Sequence, residues 1–218
     1  MRRDLLALCP CRRMSRQKKD KTGSDRQGSI MFRKFAIAVA ALAAMATSAE
    51  AISLGAARTA KPQTSRTVAA PVGYQSFCYK FARECRGGGA SVISYNRKTA
   101  SILKSVNDAV NRSTKYRADK GELWRIAAST GDCEDYALAK RSRLIRAGIS
   151  AGALRMATAR TAKGESHAVL IVKTDKGDFV LDNIRHTIVK RQASGYRYLT
   201  IATPDPAVWQ RANAGQEI

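Results

Sequence analysis

Apolar positions along this chain follow a helical period up to Gly148 and a strand-like period after it. Between Arg97 and Ser113, Ile102, Val106, Ala109 and Val110 recur at the spacing of one helix face, which predicts an amphipathic helix. A loop through Asp119-Lys120-Gly121 follows, with a short helix or turn expected to hold Leu123 and Trp124. A second helix is expected from Asp132 to Ala147, with Gly148 as its left-handed terminator. Beyond it, Ala153–Ala159, His167–Lys173, Phe179–Ile184 and Arg197–Ala202 are short, partly alternating and rich in β-formers, with Gly164, Gly177 and Gly195 between them. Helices followed by a run of strands predict an α+β domain with an antiparallel sheet.

Residues 32–51, FRKFAIAVAALAAMATSAEA, follow a different grammar. Arg33 and Lys34 precede an apolar run from Phe35 to about Ala46, and Ala49 and Ala51 form an A-x-A end. That is the three-part pattern of a cleavable secretory signal peptide. The run falls short of the roughly 20 residues that a stable membrane span needs; a buried Ala-rich helix and a retained anchor are the alternatives. Residues 1–30 are basic and weakly patterned, and Met31 stands where a signal peptide would start. The expected organisation is therefore an upstream extension (1–30), a signal peptide (31–51), a mobile leader (52–73) and one domain (74–218), with a periplasmic or secreted product.

Composition changes this picture in two ways. The 218 residues carry 39 Lys and Arg against 17 Asp and Glu, a net charge of +22. Residues 52–218 keep 28 basic and 13 acidic side chains, so the exported part remains strongly basic. Scattered basic residues and export together argue against nucleic acid as a partner. Of the five cysteines, Cys9 and Cys11 precede the export signal, leaving Cys78, Cys85 and Cys133. In an oxidising compartment an odd count leaves a free thiol or an intermolecular pair. Cys78 and Cys85 are expected to close a small disulfide loop, the rival being two buried thiols.

Cys133 then becomes the thiol of interest. It opens a helix, where unpaired backbone N–H groups favour a thiolate and can donate to an oxyanion. A thiolate nucleophile needs a base and a group to orient that base. The candidates are His167 or His186 for the base and Asp182 for the orienting carboxylate. A turn at Thr174-Asp175 would put His167 and Asp182 directly opposite, whereas one at Lys176-Gly177 would offset them by roughly 13 Å along the strands. The bland alternatives are a small buried Cys, a satisfied core His and a turn Asp.

The segments GDCEDYALAK and GESHAVLIVKTDKGDFVLDNI, with FCYKFAREC and ELW upstream, resemble the bacterial transglutaminase-like cysteine proteinases over roughly residues 74–210. The resemblance implies a papain-like/transglutaminase-like α+β core whose nucleophile Cys starts a helix packed on an antiparallel sheet. It implies a catalytic triad of Cys133 as nucleophile, His167 as base and acid, and Asp182 as the residue orienting the imidazole. It further implies a periplasmic endopeptidase acting on a protein substrate such as a surface adhesin, with an inner-membrane regulatory protein as a second partner. Calcium dependence is implied too, with Asp132 and Glu134 at the matching positions and Asp135 adjacent. Carboxylates beside a thiolate oppose its ionisation, and a hard dication would offset that; otherwise Asp132 is an N-cap and the other two are first-turn acids. Trp124 either shapes the cleft or anchors the core. Two other functions remain open from sequence: a transglutaminase or acyltransferase with the same thioester chemistry, and a non-catalytic basic module binding an anionic partner.

Overall fold

The computed structural model of the chain describes residues 67–212. The upstream extension, the signal peptide and most of the expected leader lie outside the described residues.

Strand β1 (Thr67–Val68) is followed by helix α1 (Val72–Lys80) and a 3-10 turn at Ala82–Cys85. Helix α2 (Arg97–Ser113), strands β2 (Lys115–Tyr116) and β3 (Thr130–Gly131), and helix α3 (Cys133–Arg146) come next. Six further strands complete the fold: β4 (Leu154–Arg160), β5 (Ser166–Thr174), β6 (Gly177–Leu181), β7 (Val189–Lys190), β8 (Arg197–Ala202) and β9 (Trp209–Arg211). Seven of the strands form one antiparallel sheet in the order β1-β9-β8-β4-β5-β6-β7, and β2 pairs with β3 in parallel. The α+β expectation holds.

Helix α2 begins where the sequence pattern places it, because the Asn96 side chain accepts from the Thr99 N–H at 3.0 Å and caps the first turn. Helix α3 ends at Gly148, whose φ of +86° is the left-handed conformation that favours glycine. Three expectations are corrected. Residues 67–73 are not a mobile leader: Thr67 and Val68 pair with Gln210 and Trp209, and α1 has begun by Val72. Leu123 and Trp124 lie in irregular chain, not in a helix or tight turn of their own. The third expected strand stops at Leu181, so Asp182 stands just past its end.

One face of the sheet packs on α3. Leu154, Met156, Leu170, Val172 and Leu181 form a core with Ala137, Leu138 and Leu144 of the helix. The opposite face carries Ala157, Val169, Ile171 and Val180, covered by Tyr196, Tyr198 and Ile201. Burying a side chain of this size stabilises by roughly 1.5–3 kcal/mol before entropy is counted. Closing the sheet through β1 and β9 gathers Tyr74, Trp124 and Trp209 into edge-on aromatic contacts, with ring centroids 5.3–6.5 Å apart. Gly73 is required there, since a Cβ would lie 2.3 Å from both Glu122 O and the Trp124 ring.

Candidate active site

Helix α3 is buried almost from end to end, including its charged residues. Arg141 donates from Nη1 to the Glu84 carbonyl and from Nη2 to that of Arg86, and Ser142 Oγ donates to Glu84 Oε1 at 2.9 Å. These contacts dock the 3-10 turn, which the expected Cys78–Cys85 disulfide joins to α1, against the helix that Cys133 starts. Cys133 stands outside the disulfide and is 2% exposed. Its neighbour Gly131 lets the helix start close in, as a Cβ there would meet Asp135 Cβ at 2.6 Å.

The hairpin between β5 and β6 turns at Asp175-Lys176, midway between the two registers weighed from sequence. Leu170 pairs with Leu181, which puts Asp182 level with Val169 and one diagonal step from His167 on the same side of the sheet. Across that diagonal, His167 Nε2 and Asp182 Oδ1 are 2.8 Å apart, with both side chains buried. Four donors converge on the carboxylate: His167 and the Ile184 N–H on Oδ1, Tyr196 Oη–H and the Arg185 N–H on Oδ2. Burial pushes Asp182 upward, but the His167 hydrogen bond and charge, then the Tyr196 and Ile184 donors, bring it below the ordinary carboxylate range. An ionised Asp182 can only accept, so Nε2 carries the proton and Nδ1 is the basic nitrogen of the neutral ring.

Tyr196 is a further site residue that the sequence pattern does not single out. Its Oη bonds Asp182 and its ring stands edge-on to His167 at 5.2 Å. No local signal points to it, because Tyr196 reaches the site through the fold. His186 is elsewhere: its carbonyl accepts from Asn107 Nδ2 at 2.9 Å, tying the loop after Asp182 to α2.

Cys133 and His167 line one cleft of about 370 Å³. Ala69–Val72 form one wall of it, the loop carrying Asp119 and Glu122 another, and Thr158, Ala159, Leu199 and Thr200 the floor of the sheet. Trp124 serves both readings made of it, being part of the aromatic core and also facing the cleft. A cleft of this volume accommodates several residues of an extended peptide.

The acidic cluster divides. Asp135 is taken up by Arg125: its Oδ1 accepts from the Arg125 N–H at 2.8 Å and its Oδ2 from Arg125 Nε at 3.1 Å. Asp135 thus ties the start of α3 to the chain at Arg125. Asp132 occupies the N-cap position of α3, yet its side chain makes no cap hydrogen bond. Its Oδ2 meets the Asp119 N–H at 3.5 Å, and its Oδ1 is buried without a hydrogen-bond partner, as is Asp119 Oδ2. Glu134 Oε2 accepts from the Cys133 thiol at 3.0 Å. Burial first, and then the charge of Asp132, push Glu134 up to about 8. Burial and the charge of Asp119 raise Asp132 as well. Among the described residues no group of three or more His, Cys, Asp or Glu forms a ready-made metal cluster. The partnerless oxygens of Asp119 and Asp132, beside a carboxyl that burial holds uncharged, are nevertheless the donor chemistry that a hard, oxygen-preferring cation accepts.

Three solved structures of LapG from Legionella pneumophila resemble this chain, each with a TM-score of 0.47. The EGTA-treated form is 21% identical and the match covers 55% of this chain and 70% of LapG. A second LapG structure is 23% identical over 53% and 70%, and the calcium-bound form 20% identical over 55% and 75%. Among curated proteins none matches. The sequence profile of the bacterial transglutaminase-like cysteine proteinases matches residues 64–217, a span that contains the whole described fold, and the chain therefore belongs to that family and is a cysteine peptidase.

Proposed function

We propose that this peptidase is exported and cleaves protein substrates with Cys133 as nucleophile, His167 as proton carrier and Asp182 as the residue that orients the imidazole. The observation that carries the proposal is the buried His167–Asp182 hydrogen bond, at 2.8 Å, on the cleft that Cys133 also lines. In the proposed reaction His167 Nδ1 takes the thiol proton and the sulfur attacks the scissile carbonyl carbon. Backbone N–H groups at the start of α3 stabilise the oxyanion. Collapse of the tetrahedral species breaks the C–N bond, and the imidazolium gives its proton to the leaving amine. Water then attacks the thioester, passing a proton to His167, and the acid product leaves as the thiol is restored.

Calcium is part of the proposal. Asp132 and Glu134, joined by Asp119, would hold it through oxygen, and its charge would offset the carboxylate field that opposes a thiolate. The Cys133 thiol donating to Glu134 is the state expected when that field is uncompensated. LapG has been solved both calcium-bound and EGTA-treated. A surface protein of the same cell is the proposed substrate class, since export would bring enzyme and substrate together.

The test is peptide-library cleavage by the wild type and Cys133→Ala, with and without an amine acceptor, beside iodoacetamide labelling. Hydrolysis that is lost in Cys133→Ala, and labelling of Cys133 well below pH 8 that spares Cys78 and Cys85 without reductant, are expected. Acyl transfer to the amine in place of hydrolysis would reassign the reaction. Retained cleavage in Cys133→Ala would overturn the triad.

A further inference from the structure

At the end of the sheet remote from the cleft, four cationic residues and one carboxylate line a second cavity. Arg155 of β4, Lys173 of β5, Arg191 of the turn after β7, and Arg211 of β9 line a cavity of about 80 Å³ together with Asp178 of β6. The sheet register brings them there. Arg155 lies opposite Ile171 and Lys173 opposite Asp178, so Arg155, Ile171, Lys173 and Asp178 project from the face that does not pack on α3, while Arg191 and Arg211 reach the cavity from the turn after β7 and the end of β9. Ile171 and Asp178 of its lining stand four residues from His167 and Asp182 along their strands, which separates the cavity from the proposed triad by about 13 Å.

Charge compensation at this cavity is incomplete. Asp178 Oδ1 bonds Lys173 Nζ at 2.7 Å, and its Oδ2 lies 3.6 Å from Arg191 Nε. Arg191 also stacks over the Tyr198 ring, 5.6 Å from its centroid. Arg155 is 7% exposed; its Nη2 donates to the Ser91 carbonyl at 3.3 Å, while its Nε has no hydrogen-bond partner. Burial first, with Asp178 offsetting only part, lowers Arg155 to about 10. A guanidinium removed from water with an unused donor is costly unless an anion meets it. Its planar fork matches the oxygens of phosphate or carboxylate.

We propose that this cavity is a binding site for a compact phosphate-class oxoanion, held by Arg155 and Arg191 with Lys173 and Arg211 at the rim. The volume admits a tetrahedral anion or a few waters, not a nucleotide or a peptide. The ligand is therefore either free phosphate or the phosphate head of a larger molecule that stays outside, such as an anionic lipid. Such a site gives part of the basic surface a definite ligand chemistry.

Calorimetric titration of the full chain with inorganic phosphate, at ionic strength held constant with chloride, tests the site. Saturable one-site binding is expected, at least tenfold weaker in Arg155→Gln, because one charge-assisted pair is lost. If Arg155→Gln fails to fold by circular dichroism, the rim variant Lys173→Gln/Arg211→Gln serves instead and should weaken binding several-fold. Absence of saturable heat in the wild type, or unchanged affinity in the folded variants, overturns the site. Sedimentation with phosphatidate and phosphatidylcholine vesicles separates the two sources. Phosphatidate binding that free phosphate competes away and the rim variant weakens assigns a lipid head; phosphate binding without sedimentation assigns the free anion. Vesicle binding indifferent to both, with no phosphate heat, would reduce the cavity to ordinary surface charge.

Discussion

Asp182 and Asp132 are equally buried, each 3% exposed, and each adjoins the proposed chemistry, one bonded to His167 and the other next to Cys133. Their surroundings differ. Asp182 receives four donors and is pulled below the ordinary carboxylate range. Asp132 has a long contact from the Asp119 N–H, a Glu134 carboxyl beside it and one partnerless oxygen, and is pushed up by burial and by the charge of Asp119. Burial raises both carboxylates, so the number of donors and the sign of the neighbouring charges separate them. The first cluster is complete with protein atoms; the second is short of positive charge.

The largest effect should come from breaking the complete cluster. Asp182→Asn is expected to lower kcat/KM by about 10³–10⁴-fold, because the amide favours the wrong imidazole tautomer. Thermal unfolding run alongside should show a much smaller change, and a loss of activity explained by unfolding would refute the orienting role.

The incomplete cluster should respond to added charge. EGTA, or Asp132→Asn, is expected to reduce activity by about 10–100-fold, with calcium restoring only the wild type. Stability should show the same contrast. Glu134 has a folded pKa near 8, above its unfolded value, so the folded state binds the extra proton. Its contribution is fully present below about pH 4.5 and is lost as pH rises through 8. Chelated wild type should therefore lose about 1–3 kcal/mol between pH 5 and 8, and Glu134→Gln should lose that slope. A flat wild-type profile would show that Glu134 titrates normally.

Tyr196→Phe sharpens the comparison by removing one donor of four. Activity should fall about tenfold, with about 1–1.5 kcal/mol of stability, and the acid limb of the pH–rate profile should move upward as Asp182 becomes easier to protonate. An unmoved acid limb would leave Tyr196 as packing alone.

The last effect touches stability and not activity, and concerns Lys140, buried on α3 with no hydrogen-bond partner on Nζ. Burial lowers it to about 7, with Asp182 and Asp108 offsetting part. Its folded pKa lies below the unfolded one, so the penalty is complete below pH 7 and fades as pH rises toward 10. Lys140→Met should be more stable than wild type by about 1–2 kcal/mol at pH 6, with the two converging near pH 10. No gain at pH 6 would mean that the ammonium is satisfied in place.

Periodicity located both long helices and the four central strands, because those segments repeat a local conformation that their own side chains favour. It missed β1, β2, β3, β7 and β9, each two or three residues long, and α1, because these form by pairing or packing with chain distant in sequence. The buried charges of α3 were illegible for a related reason. Arg141 tolerates burial through the carbonyls of Glu84 and Arg86, 57 and 55 residues away.

What the sequence by itself determined is the order of the two long helices and the four central strands, the close pair of cysteines that the fold joins, and a motif specific enough to indicate a family. What the tertiary structure decided is which groups meet. It set the hairpin at Asp175-Lys176, brought Tyr196 onto Asp182, bonded Asp135 to Arg125, and set Asp119 beside Asp132. Local preference fixes backbone conformation residue by residue, whereas a pKa or a binding site depends on charges and donors that only long-range packing brings within a few ångströms.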